Sequence, residues 1–563
     1  MIVLLLLILA EPASADFAYS VYQGAWTSLP NFDALTPVAT GTSSVIDLSV
    51  TSLADNFGLQ FIGTLTVAQQ GTYLFSTTSD DGSDLRINNQ TVVDNDGLHG
   101  SHEEQGTIEL APGTYSLRVR FFQATEAKVL QIRYAPPGGS LRPIPANGLP
   151  LPPPDPHQVG AWGPVIPWPH IAISAAALPN GRVLTWSSDE TNDISSGTGT
   201  QFSYSALFDP TTQAFQTTNN PTHDMFCAGV STLEDGRIVA SGGNPTNTRT
   251  SAFDPQTLTW SALANMNFGR WYSTNLTLPS NEIFATFANG SGNTSERYSP
   301  VANTWAQTTG ADMQDLLNEQ NAENGQNPVN TASDLQWFGQ LAVTPDGRII
   351  HGGPTQTWHL FDPRGSGAVQ SLGQPTGTRT RMWGNVVTYG AGKVLLLGGS
   401  DRTQNPASTK AVYKIDLNGP SPVISSAAAM AWPRAFHNSV TLPTGEILVV
   451  GGNTSGATYD DRSAVYAAEI WNPDTNQWRT APWMDVARTY HSTALLLQDG
   501  RVLSAGGGGC GNGCAENHLD GQIYTPPYLY ASDGTLASRP AITAAPAIGE
   551  AGESIHVDAS GSI

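Results

Sequence analysis

A short unit recurs along most of this chain: a turn, a glycine, then an apolar strand that often closes on Gly-Gly. It reads Asn180-Gly181-Arg182-Val183-Leu184, then Asp235-Gly236-Arg237-Ile238-Val239-Ala240-Ser241-Gly242-Gly243. A degenerate copy is Asn281-Glu282-Ile283-Phe284. Further copies begin at Asp346-Gly347-Arg348, Gly392-Lys393-Val394, Gly445-Glu446-Ile447 and Asp499-Gly500-Arg501. Successive copies lie roughly 45–65 residues apart, the period of a propeller blade. Companion pieces sit between them: Phe253-Asp254-Pro255 with Trp260, Tyr298-Ser299-Pro300 with Trp305, and Trp471-Asn472-Pro473 with Trp478. A turn followed by a buried Trp supplies packing between blades. Seven starts predict seven blades, so residues 160–536 are expected to form an all-β, seven-bladed, kelch-type β-propeller.

Composition agrees with that class. There are 57 glycines and 39 prolines, and only 13% of residues are charged. Val, Ile, Thr and Tyr occur in short alternating runs between turn residues, and helical periodicity is scarce. The net charge of −22 repels phosphate backbones, which excludes nucleic acid as a partner. At 563 residues the chain exceeds one core and predicts further domains. Residues 16–136 hold strand-like segments such as Thr64-Leu65-Thr66-Val67 and Tyr115-Ser116-Leu117-Arg118-Val119-Arg120, which predict a β-sandwich. The Pro-rich stretch 137–159, including Pro152-Pro153-Pro154, predicts an extended linker. Residues 537–563 are too few for a core and are expected to begin a truncated, immunoglobulin-like C-terminal β domain.

Met1 to Ala15 carry an apolar run, Val3 to Leu9, followed by Ala13-Ser14-Ala15, the form of a secretory leader with its cleavage site. The run is too short to span a bilayer, and no later segment has the length, so export without a membrane span is expected. Three cysteines fit an oxidising compartment. Cys510 and Cys514 lie in a glycine-rich loop that permits a local disulfide. Cys227 is left over, as a buried small hydrophobe or a chemically committed thiol.

Central loops of a propeller converge on one axis, so distant residues can share a site. Three stretches upstream of blade strands carry ligand-type side chains: His223-Asp224-Met225-Phe226-Cys227, Gly269-Arg270-Trp271-Tyr272-Ser273 and Ala487-Arg488-Thr489-Tyr490-His491-Ser492. Phenolate and imidazole donors suit tetragonal Cu(II). A thiol beside a tyrosine ring offers a thioether that lowers the ring's oxidation potential. A Tyr-His pair alone is more often packing than function.

These stretches together resemble the galactose oxidase and glyoxal oxidase family. The similarity extends over Gly160-Ala161-Trp162-Gly163-Pro164, Arg182-Val183-Leu184-Thr185-Trp186, Leu495-Leu496-Leu497, Gly506 to Cys510, Asn517-His518 and Tyr524-Thr525-Pro526. The resemblance implies a copper radical oxidase. Cys227 would be bonded to the ring of Tyr272, the radical site and equatorial ligand. Tyr490 would be the axial ligand and the base for the substrate hydroxyl proton, and His491 an imidazole ligand. The family's second imidazole comes from a C-terminal domain beyond Ile563; His556 lies too early to match it. The family's stacking tryptophan has no counterpart in Ile283 to Ser291, which holds Phe284 and Phe287. Its substrate-clamping arginine has none near Thr331 and Trp337, so a primary alcohol or aldehyde other than galactose is equally expected. His223 and His518 are expected to support or pack, and His437, in Arg434-Ala435-Phe436-His437, to be a repeat-equivalent structural residue, with a place lining the mouth as the lesser alternative.

The N-terminal domain carries Asp80-Asp81-Gly82-Ser83-Asp84 and Val92-Val93-Asp94-Asn95-Asp96-Gly97-Leu98-His99, and resembles the anthrax protective-antigen-like β-sandwich attached to secreted carbohydrate-active proteins. That resemblance makes Asp80 and Asp81 candidates for calcium or sugar binding; the alternative is a well-formed turn. The expectation is a secreted, monomeric copper oxidase that acts on a small alcohol, aldehyde or carbohydrate with O2, held near polysaccharide by its N-terminal domain. The alternative is a non-enzymatic glycan-binding protein with a vestigial copper site.

Overall fold

The computed structural model describes residues 17–538, apart from 44, 68–69, 126–127, 138–140, 145–155, 192–200, 245, 289–293, 313–337, 375–380, 401–406, 420, 512–513 and 515. The expected leader, the C-terminal segment from Arg539 with His556, and the Thr331–Trp337 stretch lie outside the described residues. Two compact units divide the chain at residues 154 and 155.

The first unit is a sandwich of a six-stranded and a four-stranded antiparallel sheet. Its core follows the two-residue period of a strand. Along Phe57–Val67, Phe57, Leu59, Phe61, Leu65 and Val67 turn inward, and Leu117, Val119 and Phe121 do so on the neighbouring strand. Tyr73, Phe75, Ile132 and Tyr134 meet them from the other sheet. In the stretch expected as a linker, Arg142–Pro143 pairs with Val129–Ala135 and Pro156–Val159 forms one helical turn.

In the second unit the described residues form seven small antiparallel sheets. Sheet one starts at Ser174, sheet two at Gly229, three at Thr274, four at Leu341, five at Asn385, six at Ala435 and seven at Ser492. From sheet two to sheet seven, the first strand of each lies beside the first strand of the next, and that of sheet seven lies beside that of sheet one. Sheets one and two share a core of Leu184, Trp186, Ile238 and Phe253, so the series closes into a ring. Ala161–Trp162 and Ile166–Pro167 complete sheet seven by pairing with Asp520–Thr525, joining the start of the ring to its last sheet.

The repeat glycines have a conformational cause. Gly236, Gly347, Gly445 and Gly500 turn between the first and second strands at φ of 84°, 83°, 80° and 83°, a region closed to most side chains. In the degenerate copy Asn281 takes that role at φ 62°, which asparagine tolerates. The outer-strand tryptophans tie each sheet to the one before. Trp260 Nε1 donates to Ser205 Oγ (3.1 Å), Trp305 Nε1 to the Ala264 carbonyl (3.0 Å) and Trp478 Nε1 to the Ala428 carbonyl (2.7 Å).

At the other end of the sheets, buried arginines clamp the segments that enter the ring. Arg270 pairs with Glu296, Arg434 with Glu469 and Arg488 with Asp520, with each guanidinium fully buried. Removing one partner leaves an uncompensated buried charge. Glu469→Ala is therefore expected to cost about 3–5 kcal/mol, and Arg434→Met/Glu469→Leu to recover most of it. Thermal unfolding of the three proteins checks this; equal midpoints for wild type and Glu469→Ala would contradict it.

Several buried imidazoles contribute a pH dependence, His170 and His223 among them. His170 lies 3.2 Å from Thr185 Oγ1. His223 donates from Nε2 to the Gly242 carbonyl (2.6 Å) and accepts at Nδ1 from Ser251 (2.9 Å). Burial pushes both down to about 4. Between the ordinary value near 6.5 and 4 the unfolded chain binds protons that the folded chain refuses. Their stability contribution is therefore complete above pH 6.5 and lost as pH falls toward 4. His223→Gln should flatten the slope by about 1.4 kcal/mol per pH unit in that window. Denaturant midpoints measured from pH 7 to 4 test it, and an unchanged slope would refute the assignment.

Candidate metal centre

Side chains reach the ring mouth because the backbone turns left-handed just before, or at the start of, the first strand of most sheets. Cys227, Tyr272, Phe338, Trp383, Phe436 and His491 have φ of 57°, 63°, 43°, 55°, 59° and 65°. No glycine stands at any of the six, although such a conformation costs a side chain about 1–3 kcal/mol.

Sheet seven differs by one residue. The carbonyls of Arg270, Arg434 and Arg488 accept equivalent bonds from Gly243, Gly399 and Gly452 (2.7, 2.8 and 2.7 Å). The left-handed residue follows two positions after Arg270 and Arg434, but three after Arg488. Sheet seven thus carries an extra residue in Thr489-Tyr490, and Tyr490 stacks on His491 at 3.8 Å between ring centroids. The strand register agrees. His437 pairs with Gly451 where Ser492 pairs with Gly506, so Phe436, not His437, is the counterpart of His491.

Cys227, Tyr272, Tyr490 and His491 come together. Cys227 and Tyr272 are 4% and 6% exposed and share a cluster with Phe226, Trp271 and Tyr490. The phenolic oxygens of Tyr272 and Tyr490 are 2.7 Å apart. His491 donates from Nδ1 to the Gly508 carbonyl (2.5 Å), which leaves the lone pair on Nε2. That nitrogen is buried and has no protein partner. Burial pushes the ring down to about 4, so it stays neutral. Burial, against a hydrogen bond with Tyr272 and with the charge of Asp224, drives the Cys227 thiol far above its ordinary value, and burial, then the charges of Cys227 and Tyr490, does the same to the Tyr272 phenol. Here the ionised forms are stable only beside a cation, and an orphaned imidazole nitrogen next to two phenols is a donor set that fits copper.

A cavity of about 410 Å3 opens on these groups, lined by Cys227, Tyr490 and His491 on one side and by Phe338, Trp383 and Phe436 on the other. The aromatics of this wall abut the tyrosines: Trp383 stacks on Phe436 at 4.6 Å, Phe436 meets Tyr490 at 5.2 Å, and Phe338 meets Tyr272 at 5.1 Å. The ligand-type side chains come from sheets two, three and seven and the aromatics Phe338, Trp383 and Phe436 from sheets four, five and six, where His437 and Asn438 also line the cavity.

Other expected residues fall as follows. Phe284 and Phe287 pack in the core shared by sheets three and four. Trp271, not singled out from the sequence, rests against Tyr272 at 4.6 Å and 43°. The signal for Trp383 and Phe436 was the recurrence of Arg-x-aromatic in Arg270-Trp271-Tyr272, Arg381-Met382-Trp383 and Arg434-Ala435-Phe436, in which Trp271 holds the variable position. His223 is buried in the bonds given above. His518 Nε2 lies 2.6 Å from Asp461, whose other oxygen accepts from Thr489 Oγ1 (2.8 Å). His437 lines the cavity, and neither ring nitrogen has a protein partner. Cys510 and Cys514 form a disulfide, and Cys227 is a free thiol. In the other unit Asp80 and Asp81 are 7% and 6% exposed. Asp81 accepts from the backbone of His99 (3.3 Å) and Ala124 (2.8 Å).

Comparison with known proteins places the chain in a family. The family described as "PA14 domain" matches residues 43–148, and "Glyoxal oxidase N-terminus" matches residues 377–519. A galactose oxidase of Gibberella zeae is 33% identical over 397 residues, 68% of this chain and 57% of that protein. The chain thus spans just over half the length of that relative. An aldehyde oxidase, GLOX, of Vitis pseudoreticulata is 31% identical over 137 residues, 23% of this chain and 26% of that one. A solved structure described as a novel fungal alcohol oxidase of the AA5 family, in complex with copper, superposes with a TM-score of 0.63 at 31% identity. That match covers 69% of this chain and 81% of the neighbour. On its ring of small sheets, its clustered donors and these matches, the chain belongs to the galactose oxidase and glyoxal oxidase family.

Proposed function

We propose that the protein is a secreted copper oxidase that converts a primary alcohol, or an aldehyde hydrate, with O2 into the aldehyde or acid and H2O2. The reading rests on one observation: an orphaned His491 Nε2 beside two phenols whose oxygens are 2.7 Å apart, next to an unpaired buried thiol. Copper, when bound, would supply a one-electron acceptor beside the oxidised Tyr272 ring, which would take the second electron. Tyr272, Tyr490 and His491 would hold it. Joining Cys227 Sγ to a Tyr272 ring carbon releases two hydrogens, which O2 takes up with two electrons as H2O2. The sulfur lone pair then eases oxidation of the ring. Tyr490, at the cavity wall and deprotonated when it holds copper, would take the substrate hydroxyl proton on its Oη and leave as the phenol. Phe338, Trp383 and Phe436 exclude water and receive the carbon skeleton.

Support for export comes from the leader-like first residues and the Cys510–Cys514 disulfide. Among the described residues no helix is long and apolar enough to cross a membrane. We read the protein as a monomer whose N-terminal unit faces polysaccharide, with Asp80 and Asp81 as ligands for calcium or a sugar hydroxyl. Calorimetric titration with Ca2+ should give binding that Asp80→Asn removes; no heat from wild type would rule calcium out.

The test of the oxidase is intact mass and peroxide release after copper loading in air. Wild type should lose two hydrogens in a form that resists thiol reductants, and Cys227→Ser should not. Tyr490→Phe should lower kcat/KM by roughly 10²–10⁴-fold. A Cys227 thiol that still titrates after loading, with no peroxide from any alcohol or aldehyde, would leave the glycan-binding reading instead.

A further inference from the structure

The tautomer of His491 depends on a loop that the proposed chemistry does not use. Gly508, after the strand Val502–Gly506, makes two bonds to the site. Its N–H donates to the Tyr490 carbonyl (2.9 Å), and its carbonyl accepts from His491 Nδ1 (2.5 Å). A neutral imidazole carries its proton on either nitrogen. This carbonyl holds the proton on Nδ1, so Nε2 presents its lone pair.

What fixes Gly508 is Asn517. Asn517 Oδ1 accepts from the N–H groups of Gly509 (2.7 Å) and Cys510 (3.2 Å), and Nδ2 donates to the Gly511 carbonyl (2.7 Å). The two arms of the loop are pressed together. A Cβ on Gly508, whose φ is 93°, would sit 2.3 Å from the Glu516 carbonyl and 2.7 Å from Asn517 Cα. The Cys510–Cys514 disulfide closes the same loop, and His518 N–H donates to the Gly507 carbonyl (3.0 Å). On the opposite side, Asp461 joins His518 to Thr489, the residue before Tyr490.

We infer that Asn517 is a positioning residue for His491: through Gly508 it holds the ring in the Nδ1–H tautomer and so creates the metal-binding face on Nε2. The inference rests on the reading of His491 as a metal ligand, yet it concerns the copper-free protein and is tested there. Asn517 is not among the residues that line the cavity, and its bonds to Gly509, Cys510 and Gly511 reach His491 through the loop. Losing the side chain frees two N–H groups and one carbonyl, and Gly508 is held against the ring less firmly, by its own bond to the Tyr490 carbonyl and the remaining ties of the loop. The Nε2–H tautomer, which cannot ligate, then becomes populated.

Ring 15N NMR of the full chain with labelled histidine, assigned with His491→Gln and recorded without copper, reads the tautomer. Wild type should show His491 as one species protonated on Nδ1. Asn517→Ala should show exchange between two tautomers. Asn517→Asp, which keeps both accepted bonds and loses only the donated one, should fall between them. It also guards against misfolding of the alanine variant. Titration with Cu(II) should then give a Kd weaker by about 10–100-fold for Asn517→Ala. The inference is overturned if folded Asn517→Ala, or Asn517→Asp should alanine not fold, keeps a single Nδ1–H tautomer like wild type. Tautomer mixing in the variant with no copper binding by wild type would uphold the inference and sink the copper reading. Tight copper binding by wild type with an unmoved tautomer in the variants would do the reverse.

Discussion

Backbone that turns left-handed at non-glycine residues is the constraint on which the site depends. Six such residues ring the mouth, at φ between 43° and 65°. None would hold that conformation alone, since each is worth about 1–3 kcal/mol of strain. Surrounding structure fixes them. In sheets three, six and seven it is a buried guanidinium tied to a carboxylate on its own sheet's third strand. The clamps matter less for net stability than for where they leave the chain. They set the level at which each strand enters the ring, and therefore which side chains meet.

From a repeated frame the protein makes an asymmetric site by two departures. One is the choice of side chain at the left-handed position, sulfur, phenol and imidazole on one arc and aromatic hydrocarbon on the other. The second is the extra residue after Arg488, which puts Tyr490 against Tyr272 and onto His491. The ligand-type side chains are thereby gathered on one side of a cavity whose other side carries Phe338, Trp383 and Phe436 beside His437. Burial that forbids ionisation of Cys227 and Tyr272 in the metal-free protein gives the site its preference for a cation.

The sheets were legible in the sequence because their turns demand glycine or asparagine; even the degenerate copy at Asn281 obeys that demand. Ring closure was not, because a two-residue strand at Ala161–Trp162 carries no periodic signal. The arginine clamps escaped notice because their carboxylates lie on the third strand of the same sheet, without local pattern. The donors at Cys227, Tyr272, Tyr490 and His491 were reached through resemblance, since periodicity is blind to a mouth where the chain leaves regular structure. Counting from each arginine would have exposed the insertion at Tyr490 and corrected the pairing of His437 with His491. Trp271 stood in view inside its motif. Only coordinates reveal that its ring lies on Tyr272.

Diffraction at the copper absorption edge from crystals of the copper-loaded protein bears most directly on all of this. The account predicts one anomalous peak within bonding distance of His491 Nε2 and the Tyr272 and Tyr490 oxygens. A protein that takes up copper elsewhere, with His491 Nε2 still without a neighbour, would contradict it.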